Sequence, residues 1–394
     1  MKKQMKWVVL VAALAALGAV LYRSGTLTRS RTEDTVLTLV ADGRNSFQPL
    51  GKGFFQASKD GSRYYETLDT QVWNDTYTMT SPFSLAEGDY AAVAELLGRN
   101  ARVYDAQGMC YSVSVSGGIM RAALSENGYL SLVVYDASAG IYRVQAYSAS
   151  GTLRLERTEA GANVYPLACD VSDDGRVLAI AYFDGDQVEV TSKVCLFYIN
   201  ESDSEGLTDA MFAAVEYPGE LVGQIGFVSG GQLAVVSDSS VSVLDSSGKQ
   251  VAVRALTNEP AAVSLADKSR IVLLDGPIRS GSEGAEPGTL EWLDLQGNTK
   301  GTVAAGENAR FVQRSAQVVV VEADRYYYGF GKDGILLWSY QATQDLAEVL
   351  PLDKRRALLA TQTEVRVVDM TAQTTDAPLE TAEPDITASG SEGE

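Results

Sequence analysis

A short hairpin turn recurs along almost the whole chain, and it constrains the fold more than any other feature of the sequence. Equivalent turn positions fall at residues 53, 88, 128, 175, 231, 269, 316 and 355, and an apolar run follows each. The clearest copies are Ala86-Glu87-Gly88-Asp89, Ser125-Glu126-Asn127-Gly128, Ser172-Asp173-Asp174-Gly175, Val228-Ser229-Gly230-Gly231 and Ala266-Asp267-Lys268-Ser269. The intervals run from 35 to 56 residues. Repeats near this length that are built from short strands are typical of propeller blades.

Most copies are followed by a second turn rich in Asp, Ser and Gly. Examples are Asp105-Ala106-Gln107-Gly108, Asp245-Ser246-Ser247-Gly248 and Asp294-Leu295-Gln296-Gly297. Gly, Asn and Asp adopt the positive φ that tight hairpins require. The sequence therefore predicts an all-β fold, a single β-propeller of about eight four-stranded blades over residues 35–370. Seven blades are the alternative, if the weak first copy at Gly51–Gly53 is not a blade.

Two lone strands at the ends of the array predict how the ring closes. Thr35–Val40 precedes the first repeat, and Val365–Asp369 is the last clear strand before the composition becomes polar. Pairing them in the final blade would remove both exposed strand edges, which a circular fold has to avoid. The spacing of apolar residues over Leu85–Leu97 comes closest to that of a helix. Gly88 and the position of this stretch in the repeat favour a strand hairpin there.

The N-terminus is predicted to be a membrane anchor. A start rich in lysine precedes sixteen uncharged residues, and Arg23 ends this run. As a helix the run would span about 24 Å, somewhat less than a hydrocarbon core of about 30 Å, and flanking Lys6 and Arg23 can snorkel to the interfaces. A cleaved signal peptide is the alternative. We predict a single-pass protein of the cell membrane with its propeller on the extracellular side, composed of a cytoplasmic tail (1–6), a transmembrane signal-anchor helix (7–22) and a linker (23–34).

Two further segments are expected to lie outside the repeats. Residues 371–394 carry six carboxylates, no basic side chain and almost no large apolar one, which predicts a disordered acidic tail. Ser280–Gly288 contains three glycines and a proline and is predicted to be an inserted surface loop.

Composition excludes several function classes. The net charge of −19 argues against nucleic-acid binding, which needs clustered lysine and arginine. The chain has no histidine, and so lacks the commonest general base and metal ligand. Its three cysteines, Cys110, Cys169 and Cys195, are interpreted as buried small apolar residues on strands. A disulfide between Cys169 and Cys195 stays open, because spacing alone cannot show it.

Two motifs that resemble ligand-binding sites are predicted to be turns. Residues 329–334 fit the Gly-x-Gly-x-x-Gly string of dinucleotide-binding proteins, but Ile335–Tyr340 is strand-like where that site needs a helix. Asp170, Asp173 and Asp174 do not match a calcium loop and are interpreted as solvated turn carboxylates. No catalytic residue, metal or cofactor is predicted.

The second turns also suggest a relationship to known proteins. Asp333-Gly334-Ile335-Leu336-Leu337-Trp338 fits the Asp-Gly-x-x-x-Trp turn that closes quinoprotein-like blades, and Asp69-Thr70-Gln71-Val72-Trp73 fits it in part. Over residues 35–370 the chain resembles membrane-anchored β-propeller proteins of the quinoprotein-like and WD40-like kind from Firmicutes. The resemblance implies a propeller fold, and its members include quinone-dependent dehydrogenases and non-catalytic envelope scaffolds.

These observations favour a binding protein over an enzyme. We predict a membrane-tethered, extracytoplasmic, non-catalytic scaffold that binds a protein or cell-wall partner. The alternative is a cell-envelope quinone-linked sugar or alcohol dehydrogenase. Tyrosine is abundant, and amphipathic rings can form binding patches. Tyr64, Tyr326 and Tyr328 are the candidate partner-binding residues.

Overall fold

The repeats fold into eight antiparallel sheets of four strands each, which we number as blades 1–8 in chain order. The computed structural model describes residues 37–38, 45–159, 163–186, 188–275, 288–306, 309–315, 317–323 and 325–373. All of them lie in one compact unit of the chain. Within these ranges the only helical elements are short 3-10 turns: Glu201–Asp203, Thr208–Ala210, Ser229–Gly231, Lys332–Gly334 and Met370–Gln373.

The strand nearest the N-terminus, β1 (Leu37–Thr38), belongs to blade 8. Blade 1 contains β2 (Ser46–Leu50), β3 (Gly53–Ser58), β4 (Gly61–Thr67) and β5 (Thr70–Thr76). Blade 2 contains β6 (Pro82–Glu87), β7 (Tyr90–Glu95), β8 (Asn100–Asp105) and β9 (Gly108–Ser114). Blade 3 contains β10 (Gly118–Leu124), β11 (Leu130–Asp136), β12 (Ile141–Tyr147) and β13 (Leu153–Glu159). Blade 4 contains β14 (Val164–Val171), β15 (Val177–Asp184), β16 (Thr191–Tyr198) and β17 (Met211–Pro218).

The second half of the ring repeats this order. Blade 5 contains β18 (Val222–Val228), β19 (Gln232–Ser237), β20 (Ser240–Leu244) and β21 (Gln250–Ala255). Blade 6 contains β22 (Pro260–Ser264), β23 (Ile271–Asp275), β24 (Gly288–Leu293) and β25 (Thr299–Gly306). Blade 7 contains β26 (Arg310–Arg314), β27 (Val319–Ala323), β28 (Tyr326–Phe330) and β29 (Leu336–Gln341). Blade 8 adds β30 (Glu348–Pro351), β31 (Arg356–Ala360) and β32 (Glu364–Asp369) to β1.

The predicted turn positions 88, 128, 175, 231, 269 and 355 lie between the first and second strands of a blade, and Gly53 begins the second strand of blade 1. Position 316 is outside the described residues, but β26 and β27 on either side of it are the first and second strands of blade 7. The prediction of eight blades is therefore confirmed, and the seven-blade alternative is wrong. We call these eight connections the inner turns, because the first strands of successive blades pack side by side around the axis. The second set of predicted turns joins third and fourth strands, at the same end of each sheet. The end of the ring that carries both sets is called the turn face.

Glycine is required in some inner turns for two reasons. Gly175 has a φ of 67°, which side chains rarely adopt, and a Cβ atom there would lie 2.2 Å from the ring of Tyr129 in blade 3. The turn thus bends tightly and also packs against the preceding blade.

The ring closes through the predicted pairing of the two lone strands. Leu37 and Thr38 of β1 are paired with Val365 and Glu364 of β32. The first strands of blades 1 and 8 also pack against each other. The N-terminal strand therefore forms the outer edge of the last blade, and this closes the ring as expected.

The core is divided among the interfaces between blades. The buried apolar residues of the described ranges form eight clusters, and each draws its members from two neighbouring blades. Phe55 and Tyr104 join blades 1 and 2, for example, and Phe47 and Leu350 join blades 1 and 8. Burying each large apolar side chain contributes about 1.5–3 kcal/mol, so closing the ring stabilises every blade.

The Asp-Gly-x-x-x-Trp sequence lies where the resemblance implies, in the turn before the last strand of blade 7. Trp338 on β29 is fully buried, and it faces Gly329 on β28. A Cβ atom on Gly329 would lie 2.1 Å from the indole, so only glycine fits. Asp333, at a φ of 59°, accepts a hydrogen bond from Nε of Arg270 in blade 6 at 2.6 Å. The Gly-x-Gly-x-x-Gly string is thus a strand end and a hairpin turn, as predicted.

Several predicted segments lie wholly or partly outside the residues that the structure describes. The signal-anchor helix (7–22), its flanking segments (1–6 and 23–34), most of the loop at 280–288 and residues 374–394 of the tail lie outside them. Residues 371–373, assigned to the tail, continue the ring in a 3-10 turn beside the buried Met370. In the described part of the chain, no helix has the length and apolarity needed to cross a membrane.

The cysteines are all free thiols. Cys169 and Cys195 are buried as expected, on β14 and β16, with β15 between them. The interpretation of Cys110 as buried is wrong: it lies on β9, the outer strand of blade 2, and is exposed. Alternation along this strand places Tyr111 and Val113 on its buried face and Cys110 on the exposed face.

Candidate functional site

The first strands of blades 1–5 and the inner turn of blade 6 surround a cavity of about 340 Å³ that reaches the turn face. Its walls combine apolar side chains with charged and amide groups. The polar lining includes Gln48, Glu87, Asp170, Asp173, Gln224 and Lys268. A volume of this size is at the lower end of small-ligand pockets, and several polar groups converge on it.

Lys268 extends from blade 6 to acidic side chains of three other blades. Its Nζ lies 2.7 Å from an Asp173 carboxylate oxygen in blade 4 and 3.2 Å from Glu87 in blade 2. A Glu126 oxygen in blade 3 lies 3.9 Å away. The lysine side chain is 19% exposed. One ammonium group thus connects four blades at the mouth of the cavity.

The inner turn of blade 6 holds Lys268 in this position. Asp267 Oδ1 accepts hydrogen bonds from the backbone N–H and the hydroxyl of Ser269, at 3.0 and 2.7 Å. The carbonyl oxygen of Lys268 accepts the N–H of Ser229 in the neighbouring inner turn at 2.9 Å. With its backbone held at both sides, the long side chain extends over the mouth.

Burial and charge act on this cluster in opposite directions. Burial alone would lower the pKa of Lys268, but the hydrogen bond to Asp173 and the charge of Glu87 outweigh it, so this pKa is raised. Burial raises the pKa of Glu87, and Lys268 opposes that rise. The lysine therefore stays protonated at neutral pH and stabilises the ionised form of Glu87, which burial disfavours.

Asp170 lies deeper in the cavity wall. Its Oδ2 accepts the backbone N–H of Phe227 at 2.7 Å, and its Oδ1 accepts that of Val171 at 2.9 Å. Burial raises the pKa of Asp170 to about 7, although these hydrogen bonds and the charge of Lys268 favour the ionised form.

Replacing Asp170 with asparagine is expected to change how stability depends on pH. The folded-state pKa of about 7 exceeds the ordinary value of 3.8, so the folded protein holds a proton that the unfolded chain has lost. The stability that this proton contributes is complete below about pH 4 and is lost as the pH rises to about 7. Urea unfolding from about pH 4 to 8 should show the wild type losing stability relative to Asp170→Asn as the pH rises. Parallel curves for the two proteins would contradict the assignment.

The interpretation of the Asp170 cluster as solvated turn carboxylates is wrong for two of its three members. Asp170 is bonded within the cavity wall, and Asp173 is held by Lys268. Asp174 accepts hydrogen bonds from the hydroxyl of Ser172 and the N–H of Arg176 inside the turn. In the described ranges, no three Cys, Asp or Glu side chains are grouped in a way that could hold a metal ion.

The three candidate tyrosines lie between blades and not at the cavity. Tyr64 is 4% exposed and packs between blades 1 and 2, and Tyr328 is 2% exposed and packs between blades 6 and 7. Tyr326 is partly buried and stacks on Tyr328 at 6.1 Å between ring centroids. A partner would reach little of Tyr64 or Tyr328 in this state. Their role in partner binding stays a prediction.

Sequence reasoning missed Lys268 as a functional candidate. One signal was available: among the five clear copies of the inner turn, only Ala266-Asp267-Lys268-Ser269 carries a lysine. That signal marks the residue as unusual. It does not reveal which carboxylates the lysine meets.

Comparison with known proteins supports the fold and leaves activity open. A family model described as "Family of unknown function (DUF5711)" matches residues 27–370. The solved structure entitled "Structure of Dos1 propeller" is 10% identical over 89% of this chain and 97% of that chain, with a TM-score of 0.52. "Crystal structure of the eukaryotic initiation factor" is 13% identical over 86% and 88%, with the same TM-score. No curated protein matches the sequence. The propeller part of the resemblance is confirmed, and membrane anchoring and the link to Firmicutes stay predictions.

Proposed function

Because the chain belongs to the DUF5711 family, whose function is unknown, we propose a role from geometry: a non-catalytic propeller that binds a protein partner on its turn face. The observation that carries this proposal is the mouth of the axial cavity, where Lys268 meets carboxylates of three other blades. Charged side chains from different blades converge there on one accessible concave surface. Such surfaces are typical of sites that recognise a partner through charge complementarity.

The same proposal extends to where the protein acts. The uncharged segment 7–22 would tether the propeller to the outer side of the cell membrane, as the sequence predicts. A partner in this location would be an envelope protein, and a cell-wall polymer is the alternative occupant. The acidic surface supports the protein partner, because the net charge of −19 repels anionic polymers and lipids.

Site-specific photocrosslinking on intact cells tests the proposed surface. A photoreactive residue would replace exposed Asp89 or Lys354, which lie in inner turns on the turn face. The matched controls carry it at Lys59 or Asp60, in the β3–β4 turn at the opposite end of blade 1. We expect a discrete crosslinked protein from the turn-face positions alone.

Two results would count against the proposed function. Equal crosslinking from both ends of the ring, or from the controls only, would place the partner elsewhere. Loss of the crosslink when residues 1–34 are deleted would support tethering, and an unchanged crosslink in the soluble fraction would contradict it.

A further inference from the structure

The charges of the inner turns are not spread evenly around the ring. The consecutive blades 2–4 carry five carboxylates at or beside their inner turns. We call this group the acidic arc, and its members are Glu87, Asp89, Glu126, Asp173 and Asp174. The basic side chain next to them, Arg176, is paired with Asp203 at 2.9 Å. Lys268 neutralises only one of the five charges, so the acidic arc keeps a net negative charge.

The two blades that precede the acidic arc carry the opposite charge. Blades 8 and 1 carry four basic side chains at or beside their inner turns. We call this group the basic arc, and its members are Lys52, Lys354, Arg355 and Arg356. Asp353 pairs with Arg356 at 2.7 Å, and Arg355 pairs with Asp369 at 3.0 Å. The side chains of Lys52 and Lys354 are exposed, and neither ammonium group has an ion-pair partner among the described residues.

The two arcs are direct neighbours on the ring, because blade 1 packs against blade 2. The cavity mouth borders the acidic arc, since its lining includes Glu87 and Asp173, and Gln48 of blade 1 also lines the cavity. A ligand that crosses the mouth from blade 8 to blade 4 would therefore meet positive charge first and negative charge afterwards. Neither a uniformly basic nor a uniformly acidic ligand fits both arcs.

We propose that the turn face binds a protein segment with two charge blocks, an acidic block on the basic arc and a basic block on the acidic arc. This inference rests on the proposed function and specifies its ligand. A basic side chain of the segment would lie at the cavity mouth beside Glu126, the carboxylate of the cluster that lies farthest from Lys268. Nucleic acid and anionic membranes are disfavoured, because the acidic arc repels phosphate.

Fluorescence anisotropy with two labelled peptides tests the proposal on the full chain. The block peptide has four glutamates, two glycines and four lysines, and the mixed peptide has the same composition with its charges alternating. Each exposed charge contact shifts affinity by about two- to fivefold, so the block peptide should bind about tenfold more tightly at low salt. Equal affinities would overturn the proposal, since they would show that binding does not depend on the order of the charges along the peptide.

Charge-reversal variants locate the binding. Lys354→Glu in the basic arc and Asp89→Lys in the acidic arc should each weaken binding of the block peptide by about fivefold. Lys59→Glu and Asp60→Lys repeat the same changes at the opposite end of blade 1 and should alter affinity less than twofold. If the controls weaken binding as much as the arc variants, the proposal fails.

The outcomes also separate this inference from the proposed function. Turn-face crosslinks that persist in Lys354→Glu and Asp89→Lys would keep the proposed function and reject the two-block ligand. A second copy of the chain is the other occupant that two opposite arcs could accept. Analytical sedimentation tests this alternative. A dimer that either variant dissociates, together with equal binding of the two peptides, would show that the turn face binds a second copy of the chain and not a different protein.

Discussion

Replacing Trp338 with alanine is expected to lower the free energy of unfolding by about 3–5 kcal/mol, the usual cost of deleting a large buried aromatic side chain. Trp338 is fully buried in the cluster between blades 7 and 8, where it packs with Val349 and Met370. Gly329 leaves no Cβ atom at the place that the indole fills. A cavity there would loosen one of the eight interfaces between blades that hold the ring closed.

Urea unfolding of the wild type and Trp338→Ala measures this effect. Trp73 supplies a matched control, because it occupies the corresponding position in blade 1 but is only partly buried. Trp73→Ala should therefore cost less. Trp338→Phe should retain most of the stability, since the indole N–H has no hydrogen-bond partner to lose. Equal losses for the two alanine variants would refute a special role for the blade 7 tryptophan.

Replacing Lys268 with methionine is expected to cost about 2–3 kcal/mol of stability. Methionine keeps the length of the side chain but removes the charge that Asp173, Glu87 and Glu126 share. The carboxylates would then lie close together in a partly buried site without a cation. Their mutual repulsion and the unmatched desolvation both destabilise the folded state.

The comparison with Lys354→Met isolates the role of the cluster. Lys354 is an exposed inner-turn lysine without an ion-pair partner in the described ranges, so its replacement should change stability by less than about 0.5 kcal/mol. Adding Glu87→Gln to Lys268→Met should recover part of the loss, because one unpaired charge is removed. The loss should also shrink as the pH falls far enough to protonate Glu87, because burial raises the pKa of this side chain. A Lys268→Met protein as stable as Lys354→Met would show that the cluster contributes nothing.

The fold was predictable because its signals are local and repeated. Glycine and aspartate turns at regular intervals mark hairpins such as 125–128 and 172–175, and each repeat indicates the same pair of strands. Unpaired strands at both ends of the array predicted the contact between Leu37 and Val365. The position of Trp338 at the end of a blade-closing turn was also predictable, since the turn and the tryptophan lie within six consecutive residues.

The candidate site was not predictable in the same way. Tyrosine runs indicated binding residues, but strand pairing and blade packing bury Tyr64 and Tyr328. The acidic turn at 172–175 indicated solvated carboxylates, and instead Asp173 is paired with a lysine 95 positions away. The alternation of side chains along a strand predicts which residues share a face of the sheet, but it does not predict which neighbouring blade or side chain covers that face.

The sequence by itself therefore predicted a propeller of about eight blades, with seven as the alternative, together with its turns and the closure of the ring. Each of these features depends on residues close together in the chain or on the two ends of the repeat array. Only the tertiary structure decided that Lys268 meets Glu87, Glu126 and Asp173, and that opposite charges collect on neighbouring arcs. The physical reason is the circular arrangement. It brings inner turns of distant blades to one axis, where Coulomb energy depends on distance through space and not on separation along the chain.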